Sequence, residues 1–200
     1  MGTARSPHAQ HTVQLLVAAV RVAPRTGTLD PRGRPRAVGA LDSLAAPGES
    51  GTDMPLSAAI ALVETSIRSL GLDPAQARVP HDGPGARFSL RRGSAEVFVV
   101  LAPPSESDSA GTLRIVAPVV QLPPTERRLA LFERLLRINA AEARGCAFAL
   151  SDESVVVVHE RSVRDLDASE VDAAIRMVGA VADHFDDALA REFGATLARG

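Results

Sequence analysis

The chain has 200 residues, of which 46% are hydrophobic, so it is long and apolar enough for one domain with a sizeable core. Its net charge of -2 gives no overall attraction to nucleic acid or an anionic membrane, and the absence of Tyr and Trp argues against a stacking platform for single-stranded nucleic acid. The 22 basic residues are all Arg, which indicates a GC-rich bacterial genome rather than a function. No apolar stretch reaches the roughly 18 residues of a membrane span, and residues 13–22 lack the flanks of a signal peptide. We therefore expect a cytoplasmic protein with no membrane partner.

Residues 1–53 differ in composition from the rest of the chain. Prolines and glycines recur throughout this segment, and four arginines lie between positions 25 and 36. Such a segment buries too little apolar surface to offset its conformational entropy, so we predict a disordered arm. The alternatives are a basic arm for nucleic acid, which the wide spacing of the arginines disfavours, and a true start of the protein at Met54.

Helical spacing followed by apolar runs predicts one helix and three strands in the next part of the chain. In chain order these are a helix at 56–70 and strands at 86–91, 95–101 and 112–122. The second strand is apolar on both faces, which predicts a central strand covered on both sides. Pro118 lies inside the third strand, and this predicts an edge position or a bulge.

The remaining residues predict a helix, two strands and a long closing helix. Their expected bounds are 125–143 for the helix, 146–150 and 155–160 for the strands, and a start near Ser169 for the last helix. Asp167, with Glu170 three residues later, has the spacing of a capping box. The resulting order, α-β-β-β-α-β-β-α, predicts a single-domain α+β fold over residues 54–195, with an antiparallel sheet flanked by helices.

Two apolar helix faces are candidate surfaces for a protein partner or a second copy of the chain. Their members are Leu129, Phe132 and Leu136 on the second helix, and Val171, Ile175 and Val178 on the last helix. The apolar face of the second helix is wide enough to contact more than one side, so we predict self-association there. The seam of the last helix has two interpretations, which are packing on the domain's own sheet and a partner or dimer contact.

Known catalytic and metal-binding motifs do not occur in the sequence. The single cysteine, Cys146, excludes an internal disulfide and a Cys-rich zinc site, and its apolar strand setting predicts a buried thiol rather than a reactive one. Asp183 and Asp187 share a helix face beside His184, and we interpret this group as a solvated acidic face rather than a weak metal site. There is no nucleophile elbow, phosphate loop or dinucleotide fingerprint. We expect no enzymatic activity, no metal and no cofactor.

Several stretches of the second half resemble the YbjN family. They are Leu-Leu-Arg-Ile-Asn-Ala at 135–140, the strands at 148–152 and 155–158, Leu-Asp-Ala-Ser-Glu at 166–170 and Ala-Asp-His-Phe-Asp at 182–186. The resemblance covers about residues 54–194. It implies the fold of the type III secretion chaperones, a twisted antiparallel sheet flanked by helices that is usually dimeric. It also implies a protein-binding or regulatory role rather than an activity.

The leading hypothesis is a chaperone-like protein-binding module. A folded homodimer would present apolar surface to an extended segment of a partner protein, and strand addition at a sheet edge would supply backbone hydrogen bonds. The third strand, with Pro118, is one candidate edge. The alternative is a bacterial signalling or stress-response regulator that binds a folded partner or a small ligand. An enzyme of unrecognised type would need convergent ionisable residues that the sequence does not show.

Overall fold

The computed structural model describes residues 54–105 and 109–198, which belong to one compact unit. The elements in chain order are α1 (Leu56–Ser69), α2 (Pro74–Ala77), β1 (Ala86–Arg92), β2 (Ala95–Ala102), β3 (Thr112–Gln121), α3 (Thr125–Ala141), β4 (Ala147–Ser151), β5 (Ser154–Ser162) and α4 (Ala168–Phe193). The predicted α+β class and the predicted order of the longer elements are confirmed. The predicted disordered arm, residues 1–53, lies outside the described residues.

The short helix α2 is the one described helix that periodicity did not predict. Its four residues are too few to show a helical repeat. The local signals are instead at its start, where the Asp73 carboxylate accepts a 2.9 Å hydrogen bond from the Ala75 N–H and Pro74 takes the first helical position.

The five strands form one antiparallel sheet in the order β1-β2-β3-β5-β4. The expectation that the third strand lies at an edge is wrong, because β3 is the central strand and is bonded to both β2 and β5. The alternative expectation, a bulge, is confirmed by a shift of register between Pro118 and Val120. The ladder to β2 ends at the pair Phe98 and Val116. Pro118 is therefore tolerated, because it lies beyond the end of the β2 ladder and at the irregular part of the β5 ladder.

Helices α1 and α4 cover one face of the sheet and enclose the core. The inward-facing side chains of β2, which include Val97 and Val99, are fully buried, as alternation along a strand requires. Helix α4 packs mainly on β3, and α1 packs on α4. The Ser66 hydroxyl of α1 donates a 2.8 Å hydrogen bond to the carbonyl oxygen of Ala168, which joins α1 to the start of α4.

Both ends of α4 carry clear capping signals. At the start, the Asp167 carboxylate accepts from the Glu170 N–H at 2.9 Å, and the Glu170 carboxylate accepts from the Asp167 N–H at 3.2 Å, so the predicted capping box is confirmed. At the end, Gly194 adopts φ 62°, a left-handed conformation that suits glycine. The chain reverses there, and residues 195–198 return to the end of β3.

Across the two described stretches of the chain, no helix combines the length and the apolar character needed to cross a membrane.

Candidate protein-binding surface

Helix α3 exposes large apolar side chains that the core does not use. Leu129 is 71% exposed and Leu136 is 68% exposed, whereas Leu131, Leu135 and Ile138 on the inner face are buried. Two apolar rows on one helix cannot both face a single sheet, because they lie on different sides of the helix axis. The outer row is therefore available to another molecule.

Phe132 lies between the two exposed leucines along the helix. The three positions are spaced i, i+3 and i+7, which places them in one stripe. Phe132 itself is half-buried and packs partly against the core. The stripe therefore continues outward from the core and is not an isolated patch.

Asn139 ties α3 to the edge strand β4. Its side-chain amide N–H donates to the Phe148 carbonyl at 3.1 Å, and its side-chain oxygen accepts from the Phe148 N–H at 2.7 Å. Both main-chain groups of Phe148 thus have partners on the side of β4 away from β5. An amide side chain carries a donor and an acceptor in the same arrangement as a peptide group, so it substitutes for one residue of a neighbouring strand.

The Asn139 contact covers only part of the β4 edge. In an antiparallel ladder, alternate residues direct their main-chain groups to the same side, so Leu150 presents its N–H and carbonyl to the same edge as Phe148. Leu150 is 50% exposed. We call Leu129, Phe132, Leu136 and Leu150 the α3–β4 surface. At the opposite edge of the sheet, β1 is bonded by the Arg78 bridge to Phe88 and by a 2.9 Å bond from the Val79 N–H to the Arg87 carbonyl.

The other predicted surface, on α4, is inside the domain. Val171, Ile175 and Val178 have no solvent exposure and pack in the core against the sheet. Of the two interpretations of this seam, packing on the chain's own sheet is the one that the structure shows. Burial of each of these side chains contributes on the order of 1.5–3 kcal/mol to folding. In the folded chain these residues are not available to a partner.

A half-open cleft of about 720 Å³ lies between the end of α3 and the middle of α4. Its apolar lining includes Met177, Val181 and Phe185. Its polar lining residues are Glu142, Arg144, Arg176 and His184. A cleft of this size and character is suited to a small amphipathic ligand or to one side chain of a partner. No prediction from the sequence pointed to it, because its walls come from two separate segments, residues 141–144 and 176–185.

Cys146 shows no sign of reactivity. It is a free, half-buried thiol, and burial raises its pKa to about 11. The thiol is therefore protonated at neutral pH, and the predicted unreactive role is supported.

The acidic group on α4 has a structural partner. The Asp183 carboxylate accepts hydrogen bonds from the N–H and the hydroxyl of Ser94, in the β1–β2 turn, at 3.0 and 2.5 Å. These bonds hold the pKa of Asp183 below its usual range. Among the residues that the structure describes, no cluster of three or more His, Cys, Asp and Glu side chains is arranged to hold a metal ion.

Comparison with solved structures finds similar chains at low sequence identity. The ExsC–ExsE complex aligns at 15% identity and a TM-score of 0.47, covering 67% of this chain and 95% of that chain. The HopA1–SchA chaperone–effector complex aligns at 12% and 0.46, covering 67% and 98%. The ExoU–SpcU complex of the type III secretion system of Pseudomonas aeruginosa aligns at 16% and 0.43, covering 65% and 96%.

The family is identified from the sequence. No curated protein sequence gives a significant match. Residues 59–199, however, match the sequence model of the family described as TY-Chap1, the "T3SS (YopN, CesT) and YbjN peptide-binding chaperone 1". The match spans more than half of the chain and includes most of α1 and every later element to the end of α4. It agrees with the resemblance to the YbjN proteins. The chain belongs to the TY-Chap1 family.

Proposed function

We propose that this chain, a chaperone-like peptide-binding module by its family, binds an extended segment of one partner protein and self-associates through the α3–β4 surface. The observation that carries the proposal is the exposed apolar row of α3 beside an incompletely covered sheet edge. Family membership supports the peptide-binding role. It also supports a non-enzymatic role, and the cytoplasmic location remains a prediction.

The α3–β4 surface has the composition of a self-association site. Its members Leu129, Leu136 and Leu150 are the exposed large hydrophobic residues of the described chain. Burying such side chains between two copies removes apolar surface from water at about 25 cal/mol per Å². In a two-fold dimer the same patch serves both subunits, so one row is sufficient for a closed interface.

Two arginines of α3 form ion pairs within the subunit. Arg128 pairs with Glu153 at 3.0 Å on the side of α3 that faces the β4–β5 turn. Arg134 lies within 4 Å of both Glu142 and Glu192. An interface over the leucines would have an apolar centre with charged residues of the same helix around it, which is the usual anatomy of protein–protein contacts.

The test of self-association is a charge placed in the row. Leu136→Asp and Phe132→Asp should each convert a dimer to a folded monomer, as measured by sedimentation equilibrium and circular dichroism. Ala130→Asp is the matched control, because Ala130 is also exposed on α3 but lies outside the stripe. A dimer that persists in Leu136→Asp at the same concentration would overturn the assignment of this surface.

The test of peptide binding is affinity capture from native lysate, with the full chain as bait and mass spectrometry as readout. The expected result is one stoichiometric protein partner, whose binding region is then mapped to an extended segment by limited proteolysis. Recovery of the bait alone, at concentrations where the chain is folded, would contradict the chaperone-like function.

The cleft between α3 and α4 favours a second candidate, a regulator that binds a small ligand. Arg144 would attract an anionic group, and the apolar lining would hold the rest of the molecule. A thermal shift with a panel of small amphipathic anions distinguishes the two functions. Stabilisation that Arg144→Glu abolishes would favour the regulator.

A further inference from the structure

The central strand β3 is bonded on both sides over only part of its length. Its ladder to β2 ends at Val116, whereas its ladder to β5 continues to Gln121. Beyond Val116, the side of β3 that faces away from β5 is therefore a short sheet edge. The side chains of Val119 and Val120 at this edge are buried, so it is continuous with the core.

Residues 195–198 of the same chain occupy this edge. The Gln121 N–H donates to the Thr196 carbonyl at 2.8 Å, and the Ala198 N–H donates to the Val119 carbonyl at 3.0 Å. These two bonds make an isolated antiparallel bridge between Val120 and Leu197. We call residues 195–198 the closing segment.

The closing segment has few bonds to the sheet. It makes one bridge rather than a ladder, and its side chains are half-buried or exposed. Leu197 packs partly against the core, and Thr196 points to solvent. Its connection to α4 is Gly194, whose left-handed conformation is a point at which the chain direction can change with little steric cost.

We propose that the edge of β3 at Val119, Val120 and Gln121 is the acceptor for the partner's extended segment, and that the closing segment occupies it until the partner displaces it. This inference rests on the proposed peptide-binding function and locates it. The closing segment shows what the edge accepts, which is an extended backbone with one large aliphatic side chain between small residues, as in Thr196-Leu197-Ala198. Such a segment gains backbone hydrogen bonds from the edge and selectivity from the leucine site.

The closing segment also sets the affinity that a partner needs in order to displace it. A tethered competitor acts at an effective concentration in the millimolar range, so a short peptide with the same sequence competes poorly with it. A natural partner would need further contacts beyond this edge. The arrangement would thereby exclude weakly matching segments.

The experiment releases the closing segment and offers a peptide in its place. The released variant carries Leu197→Asp and Ala198→Pro, which remove the apolar side chain and the N–H that donates to Val119. The matched control carries Leu197→Met and Ala198→Ser, which keep both features. The probe is a fluorescein-labelled peptide with the sequence Gly-Ala-Thr-Leu-Ala of residues 194–198, and fluorescence anisotropy measures its binding to the full chain.

The released variant should bind the probe at least about tenfold more tightly than the control does. The same probe with Pro in place of its last Ala should not bind. Absence of binding to a folded released variant at about 1 mM probe would overturn the inference. Higher oligomers of the released variant in place of probe binding would assign the edge to a second copy of the chain, which also overturns it.

A second measurement, on the unmodified chain, tests the inference if the released variant does not fold. In the unmodified chain, unlabelled probe at about 10 mM, which exceeds the millimolar effective concentration of the tethered segment, should accelerate hydrogen exchange at the Ala198 N–H. The Gln121 N–H should stay protected, because the probe replaces the closing segment on the same donor. Unchanged protection of Ala198 would overturn the inference. Capture of a partner by the unmodified chain is independent of these results, so the proposed function can stand when the location fails.

Discussion

Replacement of Asn139 by Ala should weaken the attachment of α3 to the edge strand β4 and destabilise the fold. The substitution removes two hydrogen bonds, of 2.7 and 3.1 Å, to the main-chain N–H and carbonyl of Phe148. Each bond contributes about 0.5–1.5 kcal/mol net, so the free energy of unfolding should fall by about 2 kcal/mol. For a unit of this size the melting temperature should fall by about 6–8 °C.

Urea unfolding followed by circular dichroism measures this change, with Arg137→Ala as the control. Arg137 is exposed on the same helix, and its substitution should alter the free energy of unfolding by less than about 0.5 kcal/mol. Asn139→Asp should give an intermediate loss, since the carboxylate still accepts from the Phe148 N–H but no longer donates to the Phe148 carbonyl. If Asn139→Ala is as stable as Arg137→Ala, the amide does not hold the edge strand and the reasoning is refuted.

Two further predictions concern titratable groups. Hydrogen bonding from Ser169 is the largest effect that lowers the pKa of Asp167, and hydrogen bonding from Arg161 is the largest that lowers the pKa of Glu170. Because the pKa of each carboxyl group is lower in the folded chain, the stabilisation from both groups is complete above their unfolded-state pKa values. It is lost as the pH falls from about 4 through the folded-state pKa values. Asp167→Asn should therefore reduce the change of the urea midpoint with pH in this window, and an unchanged slope would contradict the assignment. For Cys146, the pKa of about 11 should make its reaction with a disulfide reagent at pH 8 about a hundredfold slower in the folded chain than in urea, and equal rates would show that the thiol is not protected.

Much of the fold could be predicted because its signals are local. The capping box at Asp167 depends on residues within one turn of the helix start. The bulge near Pro118 follows from the missing N–H of proline. Each of these features needs only a few adjacent residues, which is why the order of the longer elements agreed with the structure.

The role of Asn139 could not be read from the sequence. Its partner, Phe148, is on another element, and an Asn on an exposed helix face ordinarily has no assigned contact. The closing segment was missed for a similar reason, since a segment of four residues after a helix end is too short to show strand periodicity. Both contacts depend on where separate elements are placed by the core.

The two apolar helix faces show what the sequence alone does not determine. Leu129 and Leu136 repeat at helical spacing just as Val171 and Val178 do, yet the first pair is exposed and the second is fully buried. Periodicity determined that each helix has an apolar face, because side-chain direction follows from backbone geometry. Only the tertiary structure decided which face is covered, because coverage depends on the strand order β1-β2-β3-β5-β4 and on the packing of α4 across it. Those long-range pairings place α4 over the centre of the sheet and leave the outer row of α3 beside the β4 edge.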